Sequence, residues 1–463
     1  MADQPNVFVL SVDSLSYSWF VNSSQELAEQ VNGVNFTNAI SPASYTSSAM
    51  PAINTGKYTD EIDAWGLPES GDPSPLAEEF ENAGYDCGLW TDNYLFGSEY
   101  NYDRGFSAGN RGSPGRKKQI VNTIKGTSLN SIFGLFESAY FNIIEPALAL
   151  GGEEKSFYRS ANSLNKEALD WLKERQSNPP VFCWLHYMDT HHPYQPPEEY
   201  LNAQTFHEQR SQSKLGEFTR NAIKSNGELL SDEELEDLRA AYEACCNYIR
   251  DEIANFISAI ENQGHFDPSK DVVVITADHG EILDRETYGM LGHVPPAFWE
   301  DIVRVPFIIG CPQWPNSPND NLVSLIDLKR VLTNISGILE ETPLQPSDIS
   351  RDHVFMVSEW EEPEDGSITT FQGVRAESGE KCFGLRRSGE DQIVYTNVNG
   401  LEEEVVGIHD VDGYREANNL TRAHTDLYSK IRERGDVVEY QSENRSIDYS
   451  ANEDHLRDLG YLD

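Results

Sequence analysis

The sequence predicts a three-layer α/β/α fold with a mostly parallel central sheet, followed by a small C-terminal α+β subdomain. Two observations support this prediction. The first is a series of continuous apolar, β-branched runs in the first three quarters of the chain, which is typical of strands buried on both faces. The second is a change after about residue 340 to short alternating segments, which is typical of a small antiparallel sheet.

The N-terminal part shows the alternation of strands and helices that builds a parallel sheet. The run Val7–Val12 is continuously apolar or β-branched and ends at Asp13. A helical period over Leu76–Ala83 stops at Gly84, and Tyr85–Trp90 then has the composition of a second strand. This order predicts a β-α-β unit.

Further strands are predicted over Val181–Tyr187, Asp271–Ala277 and Arg304–Ile309, with a long amphipathic helix over about Glu233–Asn262. A carboxylate follows three of the predicted strands, and these residues are Asp13, Asp189 and Asp278. One such Asp alone would be interpreted as the cap of the next helix. Ligand sites of doubly wound sheets lie outside the carboxyl ends of the strands, so the three acids together indicate a site there.

We expect the catalytic domain to span residues 1–340 and the C-terminal subdomain to span 341–463. The segments that alternate like antiparallel strands are Thr369–Arg375, Lys381–Arg386 and Gln392–Tyr395. The last residues, Asn452–Leu462, predict a short terminal helix that ends near Gly460.

The charge of the chain is its strongest compositional signal. Asp and Glu number 77 against 35 Lys and Arg, which gives a formal net charge of −42. Such a surface repels phosphate backbones, so we expect no nucleic-acid partner. The acidic excess is spread along the whole chain, which is typical of proteins from high-salt cytoplasm, where self-repulsion is screened. We therefore expect a halophilic protein.

Cysteine usage and the N-terminus give expectations about compartment. Six cysteines occur without a C-x-x-C spacing, so a thiolate zinc site is not expected. The first residues lack a basic stretch followed by an apolar one, and no apolar run is long enough to cross a bilayer. The sequence predicts a cytoplasmic protein, with the inner membrane face as an alternative peripheral location.

Four stretches carry chemistry-bearing residues in a fixed order. They are Val12–Leu15, Thr46–Tyr58, Met188–Tyr194 and Thr276–Glu281, with Gly292–His293 and Val305–Ile309 after the last. In this order and spacing, the chain resembles the sulfatase branch of the alkaline phosphatase superfamily. The resemblance extends from the first strand to the C-terminal Leu-Gly-Tyr-Leu, and it implies an α/β hydrolase fold.

The resemblance implies a divalent metal ion held by Asp13, Thr46, Asp278 and His279. Thr46 occupies the position of the family's nucleophile, nine residues before the Thr of the Thr-Gly-Lys-Tyr motif. Oxygen ligands with one imidazole suit Mn, Mg, Ca or Zn. A cation next to a hydroxyl favours its ionised form, which makes it a better nucleophile. One metal ion is favoured over two.

Several departures from the family pattern bear on the reaction. Sulfatases usually carry Cys or Ser at the nucleophile, with Pro and Arg two and four residues later, whereas this chain has Thr46, Ser48 and Met50. Threonine cannot be converted, so we expect no formylglycine. An ester of Thr46 lacks the second hydroxyl that expels sulfate, which favours phosphoester or phosphodiester substrates. The alternatives are a sulfuric ester hydrolase, a glycerophosphate-type transferase and a catalytically inactive binding homologue.

The remaining site residues are histidines. The resemblance places His191 against the transferred group and His293 where it could protonate the leaving oxygen. A second metal ion would take Asp189, His192 and His293. His186, within a predicted strand, is interpreted as a satisfied core histidine.

Glu281 follows the Asp-His pair, and we expect it to orient His279 or a ligand water. Ser14 and Ser16 stand where the family often has a second Asp and an Arg.

A separate segment over residues 130–148 has polar residues on one narrow helical stripe and apolar residues elsewhere. Basic residues are densest just before it. A core helix, a lid over a lipid-like or glycan substrate, and a peripheral membrane contact all fit this pattern. The predicted partner is a small-molecule, lipid-head-group or glycan ester.

The charge leads to a first prediction, that the folded protein is more stable in high salt. The Debye length falls from about 10 Å at 0.1 M to about 3 Å at 1 M salt, so KCl weakens repulsion among 77 acidic groups. We expect the melting temperature to rise by at least a few degrees over this range, measured by differential scanning fluorimetry. An equal osmolality of sucrose is the control. A melting temperature that is flat or lower in KCl would contradict the prediction.

Overall fold

A computed structural model of the protein describes residues 4–110, 157–175, 179–339, 342–361, 367–387, 390–410 and 420–441. The strands are β1 (Val7–Val12), β2 (Val34–Phe36), β3 (Ala39–Ile40), β4 (Asp86–Thr91), β5 (Ala108–Gly109), β6 (Val181–Tyr187), β7 (Val272–Ala277), β8 (Phe307–Gly310), β9 (Pro318–Asn319), β10 (Val323–Ser324), β11 (His353–Glu361), β12 (Ile368–Ala376), β13 (Glu380–Arg387), β14 (Glu390–Asn399), β15 (Glu402–Asp410) and β16 (Val438–Gln441).

The helices are α1 (Val21–Gln30), α2 (Thr46–Thr55), α3 (Leu76–Asn82), α4 (Ala161–Glu174), α5 (Glu198–Asn202), α6 (Gln212–Lys224), α7 (Asp232–Asn262), α8 (Arg285–Tyr288), α9 (Glu300–Val303), α10 (Leu328–Ile335) and α11 (Arg422–Arg434). None of these described helices is both long enough and apolar enough to cross a bilayer.

The main sheet has the strand order β5-β4-β6-β1-β7-β8-β2-β9. Strand β1 lies inside the sheet and pairs in parallel with β6 on one side and with β7 on the other. Every residue of β1 is buried, as its apolar composition predicts. Strand β8 runs antiparallel to β7, so the sheet is mostly but not wholly parallel.

Helices cover both faces of this sheet. The long helix α7 packs with α1, α4, α5 and α6, whereas α2, α3 and α10 pack with one another. Helix α7 begins with a capping box, in which Ser231 accepts from the Glu234 N–H and Glu234 accepts from the Ser231 N–H. The predicted three-layer α/β/α class is therefore confirmed.

One predicted strand begins later than its sequence pattern indicated. The expected strand Arg304–Ile309 consists of an extended approach followed by β8, which starts at Phe307. Pro306 has no N–H to donate to a ladder, so regular pairing begins after it. The short helix α9 ends just before this approach, at Val303.

The C-terminal part forms a separate antiparallel sheet in the order β11-β12-β13-β14-β15, with β16 pairing with β12. Helix α11 packs on one face, where Leu427 and Ile431 meet Val374, Ile393 and Tyr395. The other face joins the α9 region through a second apolar cluster that includes Phe298, Phe371 and Phe383. The predicted helix over residues 452–462 lies outside the described residues.

A buried charge cluster also links the two sheets. Glu300 of α9 accepts from Arg375 Nε at 3.0 Å and from Lys381 Nζ at 2.9 Å. Lys381 also contacts Glu403 Oε1 at 2.8 Å, and Thr396 donates to the same oxygen at 2.6 Å. Burial alone would raise the pKa of Glu300, but Arg375 and Lys381 hold it at about 2.

We predict that Lys381→Met destabilises the fold by about 3 kcal/mol, because two buried carboxylates lose their shared cation. The measurement is urea unfolding followed by tryptophan fluorescence. Lys214→Met, at an exposed position on α6, is the control and should stay close to the wild type. Adding Glu403→Gln to the Lys381 variant should recover part of the loss. If the Lys381 variant matched the control, the cluster would not carry this stability.

Candidate active site

The carboxyl ends of β6, β1 and β7 lie side by side and bring three side chains together. Asp13 follows β1 directly, Asp278 follows β7, and His186 lies near the end of β6. The register pairs Ser11 with His186 on one side and with Thr276 on the other. The acid-bearing edge predicted from the sequence is therefore formed by Asp13 and Asp278.

The candidate nucleophile begins a buried helix. Thr46 is the first residue of α2, after Tyr45 in extended conformation, and all ten residues of the helix are buried. The first turn of a helix has unpaired N–H groups and a partial positive charge, which favour negative charge near them. A Thr46 oxygen losing its proton would thus develop its charge at the favourable end of α2.

Thr46 lies within reach of the predicted metal ligands. Its Oγ1 is 3.2 Å from Asp13 Oδ2 and 3.2 Å from His279 Nε2. His279 Nε2 is 3.7 Å from Asp13 Oδ1 and 3.6 Å from Asp278 Oδ2. The four residues named from the sequence therefore surround one small space, and all are buried.

The charges in this space are unbalanced. Burial alone would raise the pKa of Asp13, but His191, His186 and His279 hold it well below its usual value. Burial and the Asp13 charge raise the pKa of Asp278. Burial lowers and the two carboxylates raise the pKa of His279, which ends above its ordinary value. The positive charge that the neighbouring histidines provide therefore does not balance the negative charge of Asp13 and Asp278.

The donor atoms fit a divalent cation. Asp278 accepts from the His279 N–H through Oδ1, but its buried Oδ2 has no hydrogen-bond partner. His279 Nδ1 lies 2.9 Å from the Gly280 carbonyl, which can only accept, so Nδ1 carries the proton. The Nε2 lone pair therefore faces Thr46 and the carboxylates, as in metal-binding histidines.

His186 differs from its sequence-based interpretation. We expected a satisfied core histidine, yet its buried Nε2 has no hydrogen-bond partner in the described part of the chain and lies 3.6 Å from Asp13 Oδ2. Ligand atoms of Asp13, His186 and Asp278 all lie within 4.8 Å of one another, which makes the three a candidate metal-binding group. Nothing in the strand pattern separates such a residue from a core one, because the strand is buried throughout.

The other predicted histidines form a second cluster around Glu281. His293 Nδ1 is 2.9 Å from Glu281 Oε1, and His192 Nδ1 is 3.6 Å from Oε2. The Tyr194 hydroxyl donates to Glu281 Oε2 at 3.2 Å. The rings of His191 and His192 stack with centroids 4.4 Å apart. Glu281 thus contacts His293 and His192, whereas we expected it to orient His279 or a ligand water.

Burial and neighbouring charges set the protonation states of His191, His293 and Glu281. Burial lowers the pKa of His293, and it lowers the pKa of His191 to about 3, so both rings are neutral near neutral pH. Burial alone would raise the pKa of Glu281, but His293 and His192 lower it well below its usual value. His191 Nδ1 lies 2.6 Å from the His192 carbonyl, which assigns its proton to Nδ1.

Asp189 contacts the start of α4. Its Oδ1 accepts from the Ala161 N–H at 3.3 Å. Burial raises its pKa to about 7, and its charged neighbours are Glu252 and Asp92. Glu281 is the carboxylate in contact with His192 and His293, and a second metal ion at Asp189, His192 and His293 stays a prediction.

Asn93 is a site residue that the sequence analysis missed. It follows β4, the strand beside β6, and its Nδ2 donates to Asp13 Oδ2 at 2.5 Å. Its Oδ1 accepts from the Leu95 N–H at 2.7 Å, which fixes the amide orientation. Its position after a strand of the same sheet was the available signal, but an amide carries no charge and drew no attention.

The chain is similar to known sulfatases. A family profile described as Sulfatase matches residues 5–337. In Escherichia coli (strain K12), the protein called uncharacterized sulfatase YidJ is 25% identical over 336 residues, which cover 68% of this chain and 63% of that protein. The chain thus spans less than two thirds of the length of that relative.

Solved structures share the fold. Phosphonate monoester hydrolases of Agrobacterium radiobacter and Silicibacter pomeroyi are 17% and 19% identical, each with a TM-score of 0.57 and with 93% of this chain and 94% of theirs covered. BT4656, in complex with its substrate D-glucosamine-2-N,6-O-disulfate, has a TM-score of 0.58 at 13% identity, with 93% and 97% covered. At these identities the likeness establishes the fold alone. Because the family profile extends over most of the chain, the protein belongs to the sulfatase family.

Proposed function

We propose that the protein is a metal-dependent ester hydrolase that uses Thr46 as its nucleophile and acts on phosphate esters, with phosphodiesters or monoesters favoured over sulfate esters. The observation that carries the proposal is the position of the Thr46 hydroxyl. It lies at the N-terminus of α2 and 3.2 Å from both Asp13 Oδ2 and His279 Nε2. A threonine that served only to pack the hydrophobic core would not need its hydroxyl between a carboxylate and an imidazole.

The donor set supports the metal dependence. Asp13, Thr46, Asp278 and His279 would hold the cation, and Asp278 Oδ2 is a buried oxygen that has no hydrogen-bond partner. A divalent cation bound there would favour the ionised Thr46 hydroxyl and withdraw charge from the substrate. The metal candidates are Mn, Mg, Ca and Zn.

The covalent step transfers the phosphoryl group of the substrate from the leaving oxygen to Thr46. The Thr46 O–H bond breaks, a bond forms between Thr46 Oγ1 and phosphorus, and the bond from phosphorus to the leaving oxygen breaks. The departing oxygen takes up a proton, and the helix N-terminus lies near the charge that develops on the transferred group. Water then cleaves the Thr46 ester and restores the hydroxyl, which releases phosphate when the substrate is a monoester and a phosphate monoester when it is a diester.

His293 is suited to move the proton between these groups. Its Nδ1 is paired with Glu281 Oε1 at 2.9 Å, which orients the ring and favours the protonated state when a proton arrives. Its lowered pKa keeps it neutral before substrate binds, so it can accept a proton and pass it to the leaving oxygen. The rings of His279 and His293 lie 4.5 Å apart, which brings His293 next to the nucleophile's partners.

His191 lies where it can contact the transferred group. Its ring centroid is 5.3 Å from that of His293. Because Nδ1 holds the proton, Nε2 is an acceptor in the neutral ring, and an anionic substrate would favour its protonation. His191 then becomes a donor to the phosphoryl oxygens.

The nucleophile supports phosphorus over sulfur. A Thr46 ester has one oxygen on its carbon and cannot expel sulfate by elimination, so an acceptor must attack the transferred group itself. We propose a small-molecule, glycan or lipid-head-group ester as substrate. A transferase would differ only in replacing water by a second alcohol.

The test is hydrolysis of p-nitrophenyl phosphate, bis-p-nitrophenyl phosphate and p-nitrophenyl sulfate, in high salt, with each metal ion added in turn. We expect metal-dependent activity, highest on a phosphate ester, that falls by at least about a thousandfold in Thr46→Ala, because the covalent route is lost. Ser47→Ala, one residue along the same helix, is the matched control and should keep most of the activity.

The outcomes separate the alternatives. Preference for the sulfate ester would assign a sulfuric ester hydrolase acting through unmodified Thr46. Faster release in the presence of glycerol, with glycerophosphate formed, would assign a transferase. Equal inactivity of the wild type and Thr46→Ala, together with no metal binding by the wild type, would refute the proposal in favour of an inactive homologue.

A second prediction concerns the metal-free protein, in which Asp278 is a buried acid next to the Asp13 charge. In EDTA, Asp278→Asn should raise the melting temperature, since the repulsion is removed. With Mn or Zn, the wild type should gain stability and the variant should gain much less. Asp237→Asn is the control, because Asp237 is a buried acid paired with Arg210 at 2.7 Å and its loss should lower the melting temperature. An equal metal-induced gain in the Asp278 variant would contradict the assignment.

A further inference from the structure

We infer that His186 is a fifth ligand of the cation held by Asp13, Thr46, Asp278 and His279, and that it makes the site selective for a first-row transition ion, such as Zn or Mn, over Ca and Mg. The inference rests on the proposed function, because it assigns a ligand to the same metal site.

His186 lies on β6 and approaches Asp13 and Asp278 from that strand. Its Nε2 is 3.6 Å from Asp13 Oδ2. One ligand atom from each of Asp13, His186 and Asp278 lies within 4.8 Å of the other two. Ligand atoms about 2.0–2.3 Å from one ion are separated by about 3 to 4.5 Å from one another. The spacing therefore fits three donors around a common centre.

The spacing does not fit a hydrogen bond. At 3.6 Å the Nε2 to Oδ2 separation exceeds hydrogen-bonding range. Among the described residues, neither His186 Nε2 nor Asp278 Oδ2 has a hydrogen-bond partner, and both atoms are buried. A nitrogen and an oxygen that are both buried and unsatisfied, and that face one small space, need a third group between them. A cation satisfies both.

The other ring nitrogen is already supported. His186 Nδ1 lies 2.8 Å from Ser11 Oγ, and the Trp184 indole N–H donates to the same oxygen at 2.8 Å. A serine oxygen can accept two hydrogen bonds, so it can receive the protons of both Trp184 and His186. This arrangement leaves the Nε2 lone pair directed to the cage, and an outer partner of this kind is usual for metal-binding histidines.

Ser14, the residue after Asp13, is uncharged and cannot act as a further carboxylate ligand. It lies in the left-handed region with φ of 58°, and its hydroxyl donates to Asp13 Oδ1 at 2.9 Å. With His186 the donor set becomes three oxygens and two imidazole nitrogens. Calcium takes six to eight oxygen ligands and magnesium prefers oxygen in octahedral geometry, whereas two imidazoles favour first-row transition ions. The second imidazole therefore changes which metal the site prefers.

The test is calorimetric titration of the metal-free, full-length protein with Zn, Mn, Co, Mg and Ca separately. For the wild type we expect Zn, Mn and Co to bind at least about a hundredfold more tightly than Ca and Mg. His186→Asn should weaken Zn binding by at least about tenfold and reduce this selectivity. His424→Asn, which removes another fully buried imidazole between Thr421 and Thr396, is the matched control and should leave all affinities unchanged.

A spectroscopic readout separates a ligand from an outer neighbour. The visible absorption bands of bound Co report the atoms that coordinate it, so His186→Asn should shift them or change their intensity. Ser11→Ala removes the outer partner of the ring and the acceptor of the Trp184 N–H but leaves the His186 imidazole in place, so it should weaken Co binding with a smaller spectral change. An unchanged spectrum in His186→Asn would overturn the inference.

The remaining outcomes are assigned as follows. Equal affinity of the wild type for Ca and Zn would overturn the inference without any variant, even if His186→Asn failed to fold. Metal-dependent, Thr46-dependent hydrolysis with unchanged metal binding in His186→Asn would overturn the inference alone. A wild type that bound no divalent cation would overturn both the inference and the proposed function.

Discussion

The repulsion between two buried carboxylates is the constraint on which the rest of the site depends. Asp13 and Asp278 follow neighbouring parallel strands whose register is fixed along their full length, so neither acid can withdraw from the other. The structure offsets this cost locally: Asn93 donates to one oxygen of Asp13, Ser14 to the other, and His279 lies between the two acids. Like charges that a sheet holds together in this way favour the binding of a positive partner.

The sequence predicted the sheet and its acid-bearing edge because both follow from local patterns. Continuous apolar runs mark strands buried on both faces, and the acids that end them come next in the chain. The partners of those acids could not be predicted in the same way. Asn93 is a neutral side chain 80 residues from Asp13. His186 has a core residue's pattern, and Glu281 lies two positions from the residue it was expected to orient. Only the three-dimensional distances separate these roles.

The same limit explains the differences in the rest of the fold. Strand β2 is three residues long and gives no periodic signal, yet it pairs with β8 inside the main sheet. Strand β15 carries acidic residues at both alternations, because much of it is exposed, so its pattern does not stand out. Pro306 delays β8 through a backbone property that hydrophobicity does not express. The helix expected over residues 130–148 lies outside the described residues and stays a prediction, as does the domain division at residue 340.

The contacts of α2 and the residues before it with the C-terminal sheet have a consequence for the synthesis of the protein. The Ser44 N–H, two residues before Thr46, donates to Ser358 Oγ at 3.0 Å, and the Glu359 N–H donates to Ser48 Oγ at 3.1 Å. Strand β11 therefore supports both flanks of Thr46 although it is made some 300 residues later. During synthesis on the ribosome, Asp13, Thr46, Asp278 and His279 are all made before β11. Until β11 emerges, the segment around Thr46 lacks this support. Thr46 thus reaches its final setting only late in translation.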